Sequence, residues 1–299
     1  MEQKTFALKG NIIYTKERTR FEVMEQGWLV CEEGRVRDVY SVLPEELKGI
    51  PVEDMGDRLI IPGLTDLHIH APQYTFRSLG MDMELLEWLE TNTFPEESKY
   101  KDAEYAQKAY GMFAEQLKKS ATVRACIFGT IHNEATLILM DLLEEAGLHT
   151  MVGKVNMDRN SPDYLCEPSA EASAQATREW LKAVADRKYK HTRPILTPRF
   201  TPSCTDELME LLKEIQTETH LPMQSHLSEN PGEIAWVKEL CPWSEFYGDA
   251  YDKFGLFGGD CPTVMAHCVY SGKEEMALMK EKGVFVAHCP ESNTNLSSG

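Results

Sequence analysis

The sequence predicts an α/β fold, a (β/α)8 TIM-type barrel preceded by a small sheet, and three observations carry that expectation. From Ile60 onward, short apolar runs alternate with amphipathic segments at helical spacing, the signature of a parallel sheet with helices outside it. Seven such repeats exceed most open sheets and suit a barrel of eight. Before Ile60 the pattern changes to brief β-like runs broken by turn residues, which reads as a small antiparallel sheet.

The leading runs are residues 5–8, 11–14, 27–31 and 36–40, separated by Gly10 and Glu33-Gly34. Barrel strands are expected at Leu64–His70, Thr122–Phe128, 150–156, 194–197, 222–226, Thr263–His267 and 284–288. Helix starts between them carry capping residues. Asp102 precedes the Tyr105, Ala109, Phe113, Leu117 stripe, and Asn133 precedes Leu137 to Leu143. Ser169 opens a helix running towards Lys188, and Ser271-x-x-Glu274 has the form of a capping box. The sequence ends at Asn295-Leu296-Ser297-Ser298-Gly299, just past strand seven, so the barrel is expected to lack strand eight and the chain to be a fragment.

With 299 residues, 42% hydrophobic and 26% charged, the chain can bury a full core. Its net charge of −17, from 48 acids against 31 bases, repels nucleic acid, and no Lys/Arg-rich stripe offers a local exception. A neutral free base escapes that repulsion. No apolar run approaches the roughly 18 residues of a membrane helix, and Met1-Glu2-Gln3-Lys4 lacks a signal-peptide core, so a cytoplasmic protein without membrane attachment is expected. Eight scattered cysteines with no C-x-x-C are expected to be buried small hydrophobes. Cys268 and Cys289 each follow a histidine and on a strand would face away from it, so neither is expected as a co-ligand.

Candidate chemistry begins at His68 and His70. Two residues apart on the first barrel strand, both imidazoles project from one face and make half of a zinc site. Polar residues then recur at the C-terminal ends of later strands, where barrels carry catalytic groups. These are Thr197-Pro198-Arg199-Phe200, His226 with Glu229 three residues on, His267, and His288-Cys289-Pro290-Glu291-Ser292-Asn293. Five of the 9 histidines fall at such ends, while His132, His149, His191 and His220 are expected as surface or capping groups. His68, His70 and His226 with an open fourth position suit a catalytic zinc or another borderline divalent metal, which lowers the pKa of water to about 7. Glu229 is then placed to move a proton to a leaving amine, or else it is a helix-start acid facing the dipole. His267 is either a group that holds the attacking hydroxide or stabilises charge on the tetrahedral intermediate, or a satisfied core histidine. The H-E-x-x-H and P-C-x-x-C zinc signatures are absent.

Pro62-Gly63-Leu64-Thr65-Asp66-Leu67-His68-Ile69-His70 resembles the opening metal motif of the amidohydrolase superfamily, and the later strand-end histidines follow in that superfamily's order. More narrowly, His70-Ala71-Pro72-Gln73-Tyr74, Leu85-Leu86-Glu87-Trp88-Leu89 through Thr93-Phe94-Pro95, Leu196-Thr197-Pro198-Arg199-Phe200 and Gln224-Ser225-His226-Leu227-Ser228-Glu229-Asn230 resemble its guanine deaminase branch. Val264-Met265-Ala266-His267, Ala287-His288-Cys289-Pro290 and Ser297-Ser298-Gly299 continue the match.

The resemblance implies residues 1–61 as the N-terminal part of a small β-sandwich and 62–299 as an incomplete barrel. It implies one zinc per subunit on His68, His70 and His226, with Glu229 as proton shuttle and His267 as the water-positioning or intermediate-stabilising base. Gln73, Arg199 and Phe200 would form a purine pocket, with guanine hydrolysed to xanthine and ammonia, in a homodimer. The residue types suit those roles. Arg199 offers a fixed fork of donors to a ring carbonyl, Gln73 offers both donor and acceptor, and Phe200 offers a flat apolar wall. The family's last metal ligand, an aspartate after strand eight, has no counterpart in this sequence. Two alternatives stay open: another aminohydrolase of the superfamily, acting on a cytosine, adenosine-derivative or triazine ring, and an inactive barrel acting as a binding protein.

Overall fold

The computed structural model describes residues 5–298. Met1-Glu2-Gln3-Lys4, on which the signal-peptide reading falls, and Gly299, which closes the Ser297-Ser298-Gly299 match, lie outside the described residues. Internal contacts divide the chain into two units, one ending at Leu64 and the other beginning at Thr65.

In the first unit, β1 (Phe6–Glu17), β2 (Arg20–Glu32), β3 (Arg35–Tyr40) and β4 (Val52–Ile60) form one sheet in the order β3-β2-β1-β4. The β1–β2 and β2–β3 pairs are antiparallel, but β4 runs parallel to β1, so the expected antiparallel sheet is in fact mixed. The Glu33-Gly34 turn takes positive φ at both residues, 51° and 74°, which is the backbone of a tight hairpin turn. Gly10, expected to separate two runs, lies inside β1, where the register with β2 shifts between Gly10 and Ile12. A bulge absorbs the glycine instead of ending the strand. Ala7, Val30 and Leu47 form the buried centre of this unit.

The second unit has seven strand positions. They are β5 (Leu64–His70), β6 (Thr122–Phe128), β7 (His149–Gly153) with β8 (Val155–Asn156), β9 (Thr192–Pro194) with β10 (Thr197–Pro198), β11 (Met223–Leu227), β12 (Thr263–His267) and β13 (Phe285–Ala287). Neighbours pair in parallel from β6 to β9 and from β11 to β13. A bridge from Leu196 to Met223 carries the run between them, and β5 lies beside β6. This is the barrel progression expected from the alternation of apolar runs and helices.

Two strands expected to be continuous, 150–156 and 194–197, are each broken in two. At the first break Lys154 turns inward to a buried ion pair with Glu167. At the second, the backbone changes partners: the Ile195 N–H donates to the Val152 carbonyl and the Leu196 N–H to the Pro222 carbonyl. Gly153 permits the close approach there, since a Cβ at that position would overlap the Thr197 hydroxyl.

The long helices Ala103–Lys118, Asn133–Ala146, Ala170–Arg187 and Asp206–Thr219 follow the strands, as do the shorter Pro231–Leu240 and Lys273–Lys282. Asp102 accepts from the Glu104 and Tyr105 amides and Ser169 from the Ala172 amide, as expected of N-caps. His132, not Asn133, takes the N-cap position of the next helix, with no side-chain bond to the helix amides. The capping box read at Ser271 does not form. The helix starts from Gly272, which places Glu274 at the second helical position, too early to reach back. The reciprocal box forms instead at Asn230 and Glu233.

The expected stripe buries Ala109, Phe113 and Leu117 with Ile127, Leu139 and Leu143 in one cluster. Leu139 is fully buried there. Leu139→Ala is expected to cost about 2–5 kcal/mol, read as a lower urea midpoint with an unchanged slope. No helix among the described residues is long and apolar enough to cross a membrane.

Candidate active site

Strand alternation along β5 sends Ile69 towards the helices, into the cluster with Tyr110 and Phe113, while His68 and His70 face the cavity side. Their rings stand 4.9 Å apart, nearly perpendicular. His226 from β11 completes a triangle, its ring 4.8 Å from His68 and 5.1 Å from His70. The Nε2 atoms of His70 and His226 face each other at 3.0 Å. One ring nitrogen from each of the three lies within 4.8 Å of the others. Phe128, the last residue of β6, stacks on His70 at 4.4 Å and walls the cluster from behind.

Burial, with the neighbouring rings and Arg199 adding repulsion, holds all three imidazoles well below the ordinary histidine pKa, so each is neutral with a lone pair to offer. The His226 Nδ1–H donates to the Arg199 carbonyl at 2.5 Å, a bond that fixes the tautomer and leaves Nε2 free. Nδ1 of His70 is buried with no hydrogen-bond partner. Three neutral, convergent nitrogens fit a borderline divalent metal, and the chain therefore carries a cluster able to hold one.

Glu229 and His267 lie beside this cluster. The Glu229 Oε2 is 3.3 Å from the His267 Nε2, and Oε1 is buried without a partner. Burial raises the Glu229 carboxyl to about 8, partly offset by the positive charge of Arg199. The helix-start reading of Glu229 has no support here, since Asn230 and Glu233 perform the capping. Glu233 also accepts from the Glu229 amide at 3.1 Å. His267 adopts a left-handed φ of 72°, uncommon for a side-chain-bearing residue, and its Nδ1 is 2.8 Å from the Asn293 Oδ1.

The fork of Arg199 grips Glu97, with Nη1 to Oε2 at 2.5 Å and Nη2 to Oε1 at 3.1 Å. Its guanidinium carbon lies 5.2 Å from the centre of the Phe94 ring. Phe200 is buried and Gln73 half-buried. His68, His70, Gln73, Arg199, Phe200, His226, Glu229 and His267 all line one cavity of about 310 Å³, at the lower end of the usual range for small-molecule sites.

Strand seven departs from expectation. β13 ends at Ala287, His288 points to solvent, and Cys289 lines the cavity. Its sulfur lies within 4.8 Å of a nitrogen of His68 and of His267. Cys289 does face away from His288, but the histidine is the one that turns outward. Phe128, Asn293, Glu233 and Glu97 carried no assigned role in the sequence. Phe128 stood at a strand end and Asn230-x-x-Glu233 had capping-box spacing, so both left a signal. Glu97 left none, because its partner is 102 residues away.

A parallel barrel with convergent histidines defines the class, a barrel with a metal-binding cluster at the ends of its strands. Residues 59–299 match the amidohydrolase family, and the chain belongs to that family. Within it the likeness is to guanine deaminases. The guanine deaminase of Dictyostelium discoideum is 38% identical over 97% of this chain and 68% of its own length. That of Mus musculus is 38% identical over 97% of this chain, which spans 60% of the mouse protein. A crystal structure of guanine deaminase from C. acetobutylicum, with guanine bound in its active site, superposes with a TM-score of 0.95 at 47% identity. It covers 99% of this chain and 70% of that one.

Proposed function

We propose that this chain hydrolyses guanine to xanthine and ammonia at a zinc ion held by His68, His70 and His226. The carrying observation is one cavity that joins the three neutral imidazoles, the Glu229–His267 pair and the Arg199 guanidinium. A zinc ion bound there lowers the pKa of water to about 7 and so supplies hydroxide at neutral pH. The remaining work falls to side chains. Arg199 donates to the purine carbonyl, Gln73 meets an edge that carries both donors and acceptors, and Phe200 packs on the ring face. The charge of a metal ion alongside would favour the ionised form of Glu229, which then accepts a proton from the attacking water and delivers it to a ring nitrogen. The oxygen adds at the carbon bearing the exocyclic amine; Glu229 then carries the remaining proton of the added hydroxyl to that amine, and the carbon–nitrogen bond breaks to release ammonia as the carbonyl forms. His267, held by Asn293, keeps the water in line.

Arg199→Ala tests the pocket. Loss of a charged hydrogen bond worth about 1.5–3 kcal/mol predicts a 10- to 100-fold drop in kcat/KM for guanine, followed by ammonia release. Unchanged guanine turnover in that variant, or turnover of a cytosine or triazine ring in place of guanine by the parent, contradicts the assignment.

A further inference from the structure

We infer that Glu97 aims the Arg199 guanidinium into the cavity and thereby sets the preference for a purine ring carrying a carbonyl, an inference that rests on the guanine reading above. Glu97 does not itself line the cavity. It lies on the short helix Phe94–Ser98, and both members of the pair are almost fully buried, with side chains 3% exposed for Arg199 and 1% for Glu97. The segment before it, with Leu85, Trp88 and Leu89, forms one wall of the same cavity. That segment passes through the wide turn Leu89–Thr93, an irregularity common at functional sites.

The two-pronged bond takes one N–H from each terminal nitrogen, leaving three of the five guanidinium donors in directions the pair dictates. Phe94 under the guanidinium holds its plane. The backbone carbonyl of the same arginine holds His226, so a rotation of the fork cannot be absorbed by moving the main chain. A ring with a carbonyl satisfies the aimed donors, and a ring without one leaves them buried and unpaired, which is how a polar site rejects an analogue. Without Glu97 the charge remains but its direction is lost. Glu97 is thus a positioning residue, acting through Arg199.

Hypoxanthine carries the carbonyl but no exocyclic amine, and unsubstituted purine carries neither, so both report binding without turnover. Calorimetry on the zinc-loaded parent is expected to favour hypoxanthine by about tenfold or more. Glu97→Gln is expected to cut that preference to about threefold or less by weakening hypoxanthine alone, while melting stays cooperative. On guanine the same variant raises KM and leaves kcat within about threefold. The double variant with Arg199→Ala is expected to be no worse than Arg199→Ala alone, since the two residues act as one unit. Should Glu97→Gln fail to fold, Glu97→Asp substitutes. It keeps the charge one methylene short, and an intermediate preference is expected. The inference is overturned by a parental preference in either Glu97 variant, by equal weakening of both ligands, or by additive losses in the double variant. A parent that binds both ligands equally refutes the guanine pocket itself, and this inference with it.

Discussion

Glu229→Gln is expected to keep its metal and lose turnover by about 10²-fold or more, because an amide can neither take nor return the proton. The geometry sets this residue apart from the other acids nearby. Its Oε1 is buried with no partner, its Oε2 faces His267 at 3.3 Å, and capping is left to its neighbours. The variant also has a signature independent of turnover. With the folded carboxyl raised to about 8, the metal-free folded state holds a proton that the unfolded chain releases near about pH 4.3. The Glu229 contribution to the stability of the metal-free protein therefore falls as pH rises through that window, while the buried neutral imidazoles of His68, His70, His226 and His267 contribute in the opposite sense below about pH 6.5. Glu229→Gln removes that contribution, so its urea midpoint is expected to gain on the parent's as pH rises from 5 to 8. A slope remains from Glu233, which burial and the adjacent Glu229 raise to about 7. Full parental turnover in Glu229→Gln would move the proton shuttle to another group.

His226→Ala is expected to abolish stoichiometric metal binding and, with it, guanine turnover. His226 supplies the ring nitrogen across from His70 and is the member whose tautomer is fixed by a backbone carbonyl. Losing an orienting partner of a metal ligand costs about 10- to 100-fold in affinity, and losing the ligand costs more. The fold is expected to survive, because the strand's other side chains, Met223 and Leu227 among them, stay in the cluster that holds it. Metal analysis after dialysis, beside a melting curve, reads both halves. A variant that retains one metal per chain would place the ligand set elsewhere in the cavity.

Strand periodicity made the centre of the site legible. His68 and His70 share a face because side chains alternate, and His226 and His267 stand where parallel strands end. The same rule misled at strand seven, where a one-residue difference in register decides which of His288 and Cys289 enters the cavity. β4 escaped notice because Glu53, Asp54, Gly56 and Asp57 interrupt any apolar alternation, and its place is set by pairing with β1. The breaks after Gly153 and around Ile195 come from a buried ion pair and a change of hydrogen-bond partner, neither of which is local in sequence. Glu97 is the clearest case. An acid in Phe94-Pro95-Glu96-Glu97-Ser98 looks like any helix-start glutamate until the barrel brings Arg199 against it.

On the reading proposed above, convergent imidazoles and an aimed arginine make one guanine-hydrolysing centre. The most direct test of that reading follows guanine consumption, xanthine formation and ammonia release together on the purified chain loaded with zinc and stripped of it. Equimolar xanthine and ammonia from the loaded protein, lost on stripping and restored by zinc, is the predicted result. Stoichiometric zinc with no release of ammonia from guanine would contradict it.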